Sequence, residues 1–271
     1  MEMALQPARA WRVRFAAEAG AGESVLASIR EPSNCVAAAT AVDPAQAFAA
    51  APDDGSLILV VAGAADAAFE KEIDAVFAAR AQGEPVFRGS VRSVRAVWSR
   101  ALVFVGGAAE VEAEAIDAVL RFTLAARATF DLEAAMAANW QELERHSALS
   151  HAVTKAQQSQ QGEVDAMTQK LVRMKMVHLR VQNAIEQLDP MLGANSRRLF
   201  AQLSSPALLA DRMEMLEDPI QFGQDHYELA NTRLIEGKYS STELMLEVMI
   251  VVILVAELIA ILWDKLFPIA A

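Results

Sequence analysis

The 271-residue chain sets 35 acidic side chains against 24 basic ones, a formal net charge of −11, within a composition that is 54% apolar. That balance argues against nucleic acid as a partner, because phosphate contacts need clustered Lys and Arg. Cys35 is the single cysteine, so an intrachain disulfide and a thiolate zinc cluster are excluded, a reducing compartment fits, and Cys35 itself reads as a small core residue.

In chain order, residues 1–15 (MEMALQPARAWRVRF) hold no apolar stretch long enough for a signal peptide, so the body is expected to stay in the compartment where it is made. Arg9, Arg12 and Arg14 also permit a mitochondrial presequence. Trp11, Val13 and Phe15 alternate with those arginines at period two, which favours a half-buried strand. Residues 57–61 are a compact apolar run ending at Gly63, and a helical stretch, 65–80, follows. The same order recurs in 102–105, Gly106-Gly107 and a helix from 109 to about 127. Laying Gly63 on Gly106 brings Ile73-Asp74-Ala75-Val76 over Ile116-Asp117-Ala118-Val119, the spacing of a duplicated strand-helix unit. With strands at Val86-Phe87 and 94–98, the expectation is an α+β head domain over residues 1–129.

A glycine between strand and helix can cradle a phosphate. Here no G-x-G-x-x-G and no Lys-Ser/Thr pair follows the glycines, and Asp66 or Glu110 would repel an anion at the helix start. Tight turns with acidic capping are expected, and a membrane-tethered enzyme or small-molecule-binding domain using Gly63 or Gly106 is the alternative.

Residues 130–239 read as a helical, coiled-coil-like domain. Two long helices fill 130–187, with the polar segment 157–162 either a hairpin tip or a solvated helix face. Beyond it Met167, Leu171, Met174, His178, Val181, Ile185 and Leu188 follow a four-three spacing, the seam of a helix that packs along another. Asp189-Pro190 stops that helix. An antiparallel hairpin and a coiled coil between protomers would bury the seam equally well. His178 is the polar residue on it, and a histidine on an apolar stripe sets register through one hydrogen bond more often than it binds metal or switches. His146 and His151 lie five apart rather than four, and no H-E-x-x-H appears. No catalytic, cofactor-binding or metal-ligating residue and no cofactor is implied, so the chain is read as non-enzymatic.

The third region runs from Asn195 through a Leu- and Met-rich stretch to Leu216. Asp218 and Pro219 read as cap and first residue of a new helix ending near Glu236. Ser240 and Glu243 form a capping box that gives residues 240–265 their own helix start. Within it residues 244–263 (LMLEVMIVVILVAELIAILW) are apolar for about 20 residues, roughly 30 Å of helix, enough to cross a hydrocarbon core. A single-pass, tail-anchored membrane protein is expected, with Trp263 as an interfacial anchor. Its body is placed in the cytoplasm, at a bacterial inner membrane, or at the mitochondrial inner membrane if the chain is eukaryotic. Glu247 lies within a turn of the helix start and reaches the headgroups, whereas Glu257 stands deep in the run, where a charge costs on the order of 2.5–3.5 kcal/mol. Either Glu257 is protonated or snorkels, or it hydrogen-bonds between anchors and makes a homo-oligomer. Pairing with a Lys or Arg of another chain would instead make the protein an accessory subunit of a larger membrane complex.

Leu246-Glu247, an apolar run and Glu257 resemble the L-E-(W)-I-I-I-x-L-I-x-x-E anchor of the "required for meiotic nuclear division" family, a domain of unknown function. Ala148-Leu149-Ser150-His151-Ala152-Val153 is similar to that family's A-L-S-H-A-hydrophobic segment, and Leu216-Glu217-Asp218-Pro219 with Phe222 resembles its L-D-T-P-x-x-F turn. Val248 stands where the family usually has Trp, and 26 residues separate Pro219 from Leu246. The resemblance implies a membrane-anchored, self-associating scaffold, mitochondrial in eukaryotic members, with no established catalytic residues.

Overall fold

The computed structural model describes residues 9–47, 55–63, 67–81, 84–150, 157–190 and 192–266. Its contacts divide into two compact units, Met1–Met136 with Met174–Asp218, and Ala137–Arg173 with Pro219–Ala271. The first unit holds β1 (Arg9–Ala16), β2 (Ser24–Ile29), β3 (Cys35–Val42), the short α1 (Pro44–Ala47), β4 (Leu57–Ala62), α2 (Ala67–Ala81), β5 (Phe87–Val91), β6 (Val94–Trp98) and β7 (Leu102–Gly106). Long helices follow: α3 (Ala109–His146), α4 (Gln161–Glu186), α5 (Ala194–Ala207) and α6 (Leu209–Leu266), with 3-10 turns at Ser147–Ser150 and Gln157–Gln160. The class is α+β, a seven-stranded sheet followed by long helices.

The sheet runs β2-β3-β1-β4-β7-β6-β5, with β4 and β7 parallel and the other pairs antiparallel. The strands expected at 11–15, 57–61, 94–98 and 102–105 are all present, so the arginine-flanked segment is a strand. β2 and β3 were not expected. Residues 35–42, CVAAATAV, are rich in the best helix former, and pairing with β1 on one side and β2 on the other overrides that preference.

All six residues of β4 are buried, as a strand covered on both faces must be. Leu57, Leu59 and Val61 pack with Val111, Ala115, Val119 and Phe122 of α3, while Ile58, Val60 and Ala62 pack with Ile73 and Phe77 of α2. The two helices therefore cover opposite faces of the sheet. β4 and β7, the strands of the two expected strand-helix units, are parallel neighbours with Ile58 opposite Leu102, and their helices lie on opposite faces.

Trp98 centres the α3 side. Fully buried, it stacks on Phe87 at 5.5 Å and meets the edge of Phe122 at 5.1 Å. Its Nε1–H donates to Thr123 Oγ1 at 2.9 Å, and the Thr123 hydroxyl donates to the Val119 carbonyl at 2.7 Å, so no polar atom of the pair is left bare. Arg127, further along α3, donates to the carbonyls of Gly55 and Arg100 and ties down the starts of β4 and β7.

Three helices carry unbroken four-three seams. On α3 the seam is Val111, Ala115, Ala118, Phe122, Ala125, Thr129, Leu132, Met136, Asn139, Leu143 and His146, and on α6 it is Leu209, Met213, Leu216, Ile220, Gly223, Tyr227, Ala230 and Leu234. All of these are buried, as are Leu171, Met174, His178 and Val181 of α4, while Met167, Ile185 and Leu188 are half-buried. The α4 seam is thus buried within the chain.

Two expected breaks do not occur. Residue 129 is interior to the 38-residue α3, so the expected boundary between head and helical domains falls inside a helix. Thr129 is itself a seam residue and its hydroxyl donates to the Ala125 carbonyl. Likewise α6 is one helix of 58 residues that passes through Pro219, Gly237 and Ser240, so neither the Asp218 cap nor the Ser240–Glu243 box starts a helix. A proline within a helix costs about 3 kcal/mol. Burying Leu216, Ile220 and Tyr227 on either side of it contributes about 1.5–3 kcal/mol each and outweighs that cost.

Gly107 is the tightest point of the sheet. With φ at 150°, its missing side chain makes room for the β5–β6 turn, because a methyl group there would lie 2.4 Å from the Ser93 carbonyl oxygen and 2.6 Å from Val94 Cα. Gly107→Ala is expected to cost at least about 2 kcal/mol, read as a lower melting temperature of the full chain. A melting point equal to the wild type's would show that the turn moves freely.

Candidate interaction surface on the C-terminal helix

In the second unit α3 and α4 run antiparallel. Lys170 donates to Asn139 Oδ1, and Arg145 lies 3.2 Å from Glu163. α6 joins them with Trp140 against Phe222 at 6.0 Å between ring centroids. Gly223 sits at a close approach, since a methyl group there would stand 3.1 Å from Leu171 Cδ2. The buried ring of His146 meets the buried Tyr227 hydroxyl at 2.9 Å through Nδ1, and Glu163 lies 3.4 Å from its Nε2. The arrangement that satisfies all three groups has Nε2–H facing the carboxylate and the tyrosine hydroxyl donating to Nδ1. Among the described residues no three His, Cys, Asp or Glu side chains converge in a way that would hold a metal ion. His151 lies outside the described residues.

His178 is the other buried histidine. Its Nε2–H donates to the Met213 carbonyl at 2.8 Å, while Nδ1 meets no hydrogen-bond partner among the described residues. The ring is thus packed into the α4 seam and held to α6 by one bond. At the glycine turn after β7 the Ser93-Val94 backbone occupies the space beside Gly107. Asp66 lies outside the described residues.

The described surface changes character after Leu234, the last residue of α6 that is buried among the described residues. From 242 to 259 every residue is exposed. Thirteen of these are large apolar side chains, from Leu244 at 58% to Ile259 at 57%, with Met245 at 66% and Val252 at 61%. They point in all directions around the helix, so no single groove could cover them. Glu247 and Glu257 lie on this stretch, ten residues apart, which places them about 15 Å apart along the axis and about 80° apart around it. Neither glutamate lies on the continuing seam of α6, which would pass through Leu244, Val248, Val251, Val255 and Leu258. The side chains of residues 260–263, Trp263 included, are outside the described residues, and among the described residues no helix is long and apolar enough to cross a membrane.

No protein-family model and no curated protein matches the chain. Among solved structures it is similar to the CorA magnesium transporter from Methanocaldococcus jannaschii, at 9% identity over 92% of this chain and 83% of that one, with a TM-score of 0.37, too low to carry an argument.

The sequence pattern found the α4 seam and the acid-bearing run. It missed the α3 and α6 seams, though the four-three spacing was present in both; Ala115, Ala118 and Ala125 with the polar Thr129, Asn139 and His146 on α3, and Gly223 on α6, hid it, because small and polar residues score weakly as apolar.

Two outcomes test the buried polar pairs. His178→Leu is expected to change stability by less than about 1 kcal/mol, since both ring nitrogens leave together and the Met213 carbonyl keeps its place in the helix; a loss of several kcal/mol in chemical denaturation would show that the ring is needed. Burial, with Glu142 adding to it, pushes the Tyr227 hydroxyl up to about 12, against about 10 in an unfolded chain. Above pH 10 the unfolded chain releases a proton that the folded one keeps, so this contribution is intact below about pH 10 and lost as pH rises toward 12. Tyr227→Phe is expected to cost about 1 kcal/mol at neutral pH and to flatten that alkaline decline, measured by urea unfolding across the pH range.

Proposed function

We propose that the chain is a non-enzymatic scaffold held in a membrane by the end of α6, and that copies associate through that helix. The observation that carries the reading is the uncovered, all-round apolar stretch 244–259, continuous in sequence with Ala260 to Trp263. Thirteen large apolar side chains left in water forgo on the order of 20–40 kcal/mol relative to burial, more than the whole stability of a typical domain. On insertion scales two intramembrane glutamates cost far less, about 2.5–3.5 kcal/mol each. Lipid covers a helix on all sides, as one protein groove does not. Tyr239, 73% exposed, and Trp263 bracket the run about 36 Å apart along the helix, the spacing of two interfacial aromatic belts. Glu247 sits about two turns inside Tyr239, and Glu257 is the acid that needs a partner. The resemblance to the meiotic-nuclear-division anchor agrees with this reading.

Fractionation of the full chain is expected to place it in the carbonate-resistant membrane pellet, and removal of residues 240–271 to release it. A full chain in the soluble fraction overturns the anchor. Glu257→Leu is expected to lower the crosslinked dimer about fivefold or more, the size of one interhelical hydrogen bond of about 1 kcal/mol. An unchanged dimer sinks the self-association, and loss of a different copurified protein identifies an accessory subunit instead.

A further inference from the structure

The edge of the sheet in the first unit carries a second feature, independent of the apolar helix. An open cleft of about 800 Å³ is lined by Lys71 and Asp74 of α2, Arg88 and Ser90 of β5, Arg92 and Ser93 of the β5–β6 turn, Arg95 of β6, and Gln202 of α5. Four cations face one carboxylate. In a chain of net charge −11 this is a local reversal of sign, and such a concave positive site concentrates anions.

The cations are held in place. Arg95 reaches both Asp74 oxygens, at 3.2 and 3.1 Å, and Arg88 Nε lies 3.2 Å from the same carboxylate, so one acid orients two guanidinium groups side by side. Burial opposes ionisation of Asp74, but the hydrogen bonds from Arg95 and Arg88 win and hold it below the usual carboxylate range. Gln202 Oε1 accepts the Ser90 backbone N–H at 2.6 Å, occupying an edge donor that would otherwise face outward. Lys71 and Arg92 hold no carboxylate among the described residues. Arg92 is the first residue of a two-residue hairpin turn with φ at 54°, where glycine is the default and a side chain is strained. Protection of an exposed edge strand accounts for one charge on β5. It does not account for an arginine at a glycine position, nor for a helix lysine facing three arginines.

We propose that this cleft binds a compact, phosphate-dense anion, such as a pyrophosphate or a small phosphate ester. Guanidinium forks match phosphate oxygens two at a time, and the Ser90 and Ser93 hydroxyls supply further donors. No aromatic ring lines the cleft among the described residues, so a nucleobase finds nothing to stack on, and recognition rests on the phosphates. The phosphate group has two sources, a soluble metabolite or the phosphomonoester headgroup of a lipid.

The test is calorimetric titration of the full chain in mild detergent at low salt with inorganic pyrophosphate. Saturable binding is expected, weakened about five- to tenfold by Arg92→Gly and again by Lys71→Gln, and unchanged by Arg173→Gln, an exposed arginine of the second unit. Because Arg92→Gly relieves the strained turn, its melting temperature is expected to stay at or above the wild type's, which separates lost binding from lost folding. No saturable binding, equal affinity in the Arg92→Gly/Lys71→Gln double variant, or an equal loss in Arg173→Gln each overturns the proposal. Repeating the titration in micelles doped with phosphatidic acid assigns the source: weaker pyrophosphate binding there marks the lipid headgroup, and unchanged binding marks the soluble anion.

Discussion

A strand buried on both faces has to be covered on both faces, and the first unit is organised around meeting that requirement for β4 and β7. Their residues are apolar without alternation, so neither strand tolerates water on either side. α2 covers one face, and α3 with α5 covers the other. The parallel pairing of β4 with β7 needs a crossover of about a dozen residues or more, and α2, β5 and β6 fill it. Trp98 and Gly107 are the two places where that packing is closest, one as the largest side chain and the other as none.

The long helices extend the same logic by other means. α3 gives its first five turns to the sheet and its last to α4 and α6, while its inner positions keep one four-three register throughout. Small residues at those positions let backbones approach, and two histidines, each with one good hydrogen bond, replace apolar residues without opening a void. α6 passes through Pro219 because the seam on either side of it is buried, so a local breaker loses to packing. Covering ends at Leu234. Beyond a polar segment the described side chains from 242 to 259 are all exposed, and from Leu244 on they are large and apolar except for Glu247, Ala256 and Glu257.

Two regions of opposite character thus stand outside the packed core: an apolar helix with two acids, and a basic cleft on an acidic chain. Each runs against the local norm. Exposed leucine and isoleucine raise the free energy of the folded chain in water, and clustered arginines repel one another. Neither is required by the sheet or the seams, which is why both direct attention to what the chain contacts.

Some of this was legible in the residues. The apolar runs at 57–61 and 102–105 marked the central strands, because continuous burial leaves a pattern that any reader of hydrophobicity finds. The α4 seam and the 244–263 run were equally plain. The alanine-rich β3, the α3 seam and the passage of α6 through Pro219 and Ser240 were not, since alanine is at home in helix, strand or core and a proline's cost is decided by what is buried around it. The cleft was invisible for a different reason. Lys71, Asp74, Arg88, Arg92, Arg95 and Gln202 come from four elements spread over 132 positions, and only the folding of α2 and α5 against the β5–β6 edge brings them together. Sequence by itself determined which segments must leave water, because that depends on composition and period alone. The tertiary structure decided which side chains meet, because charge and hydrogen bonding act over a few ångströms and distance along the chain says nothing about distance in space.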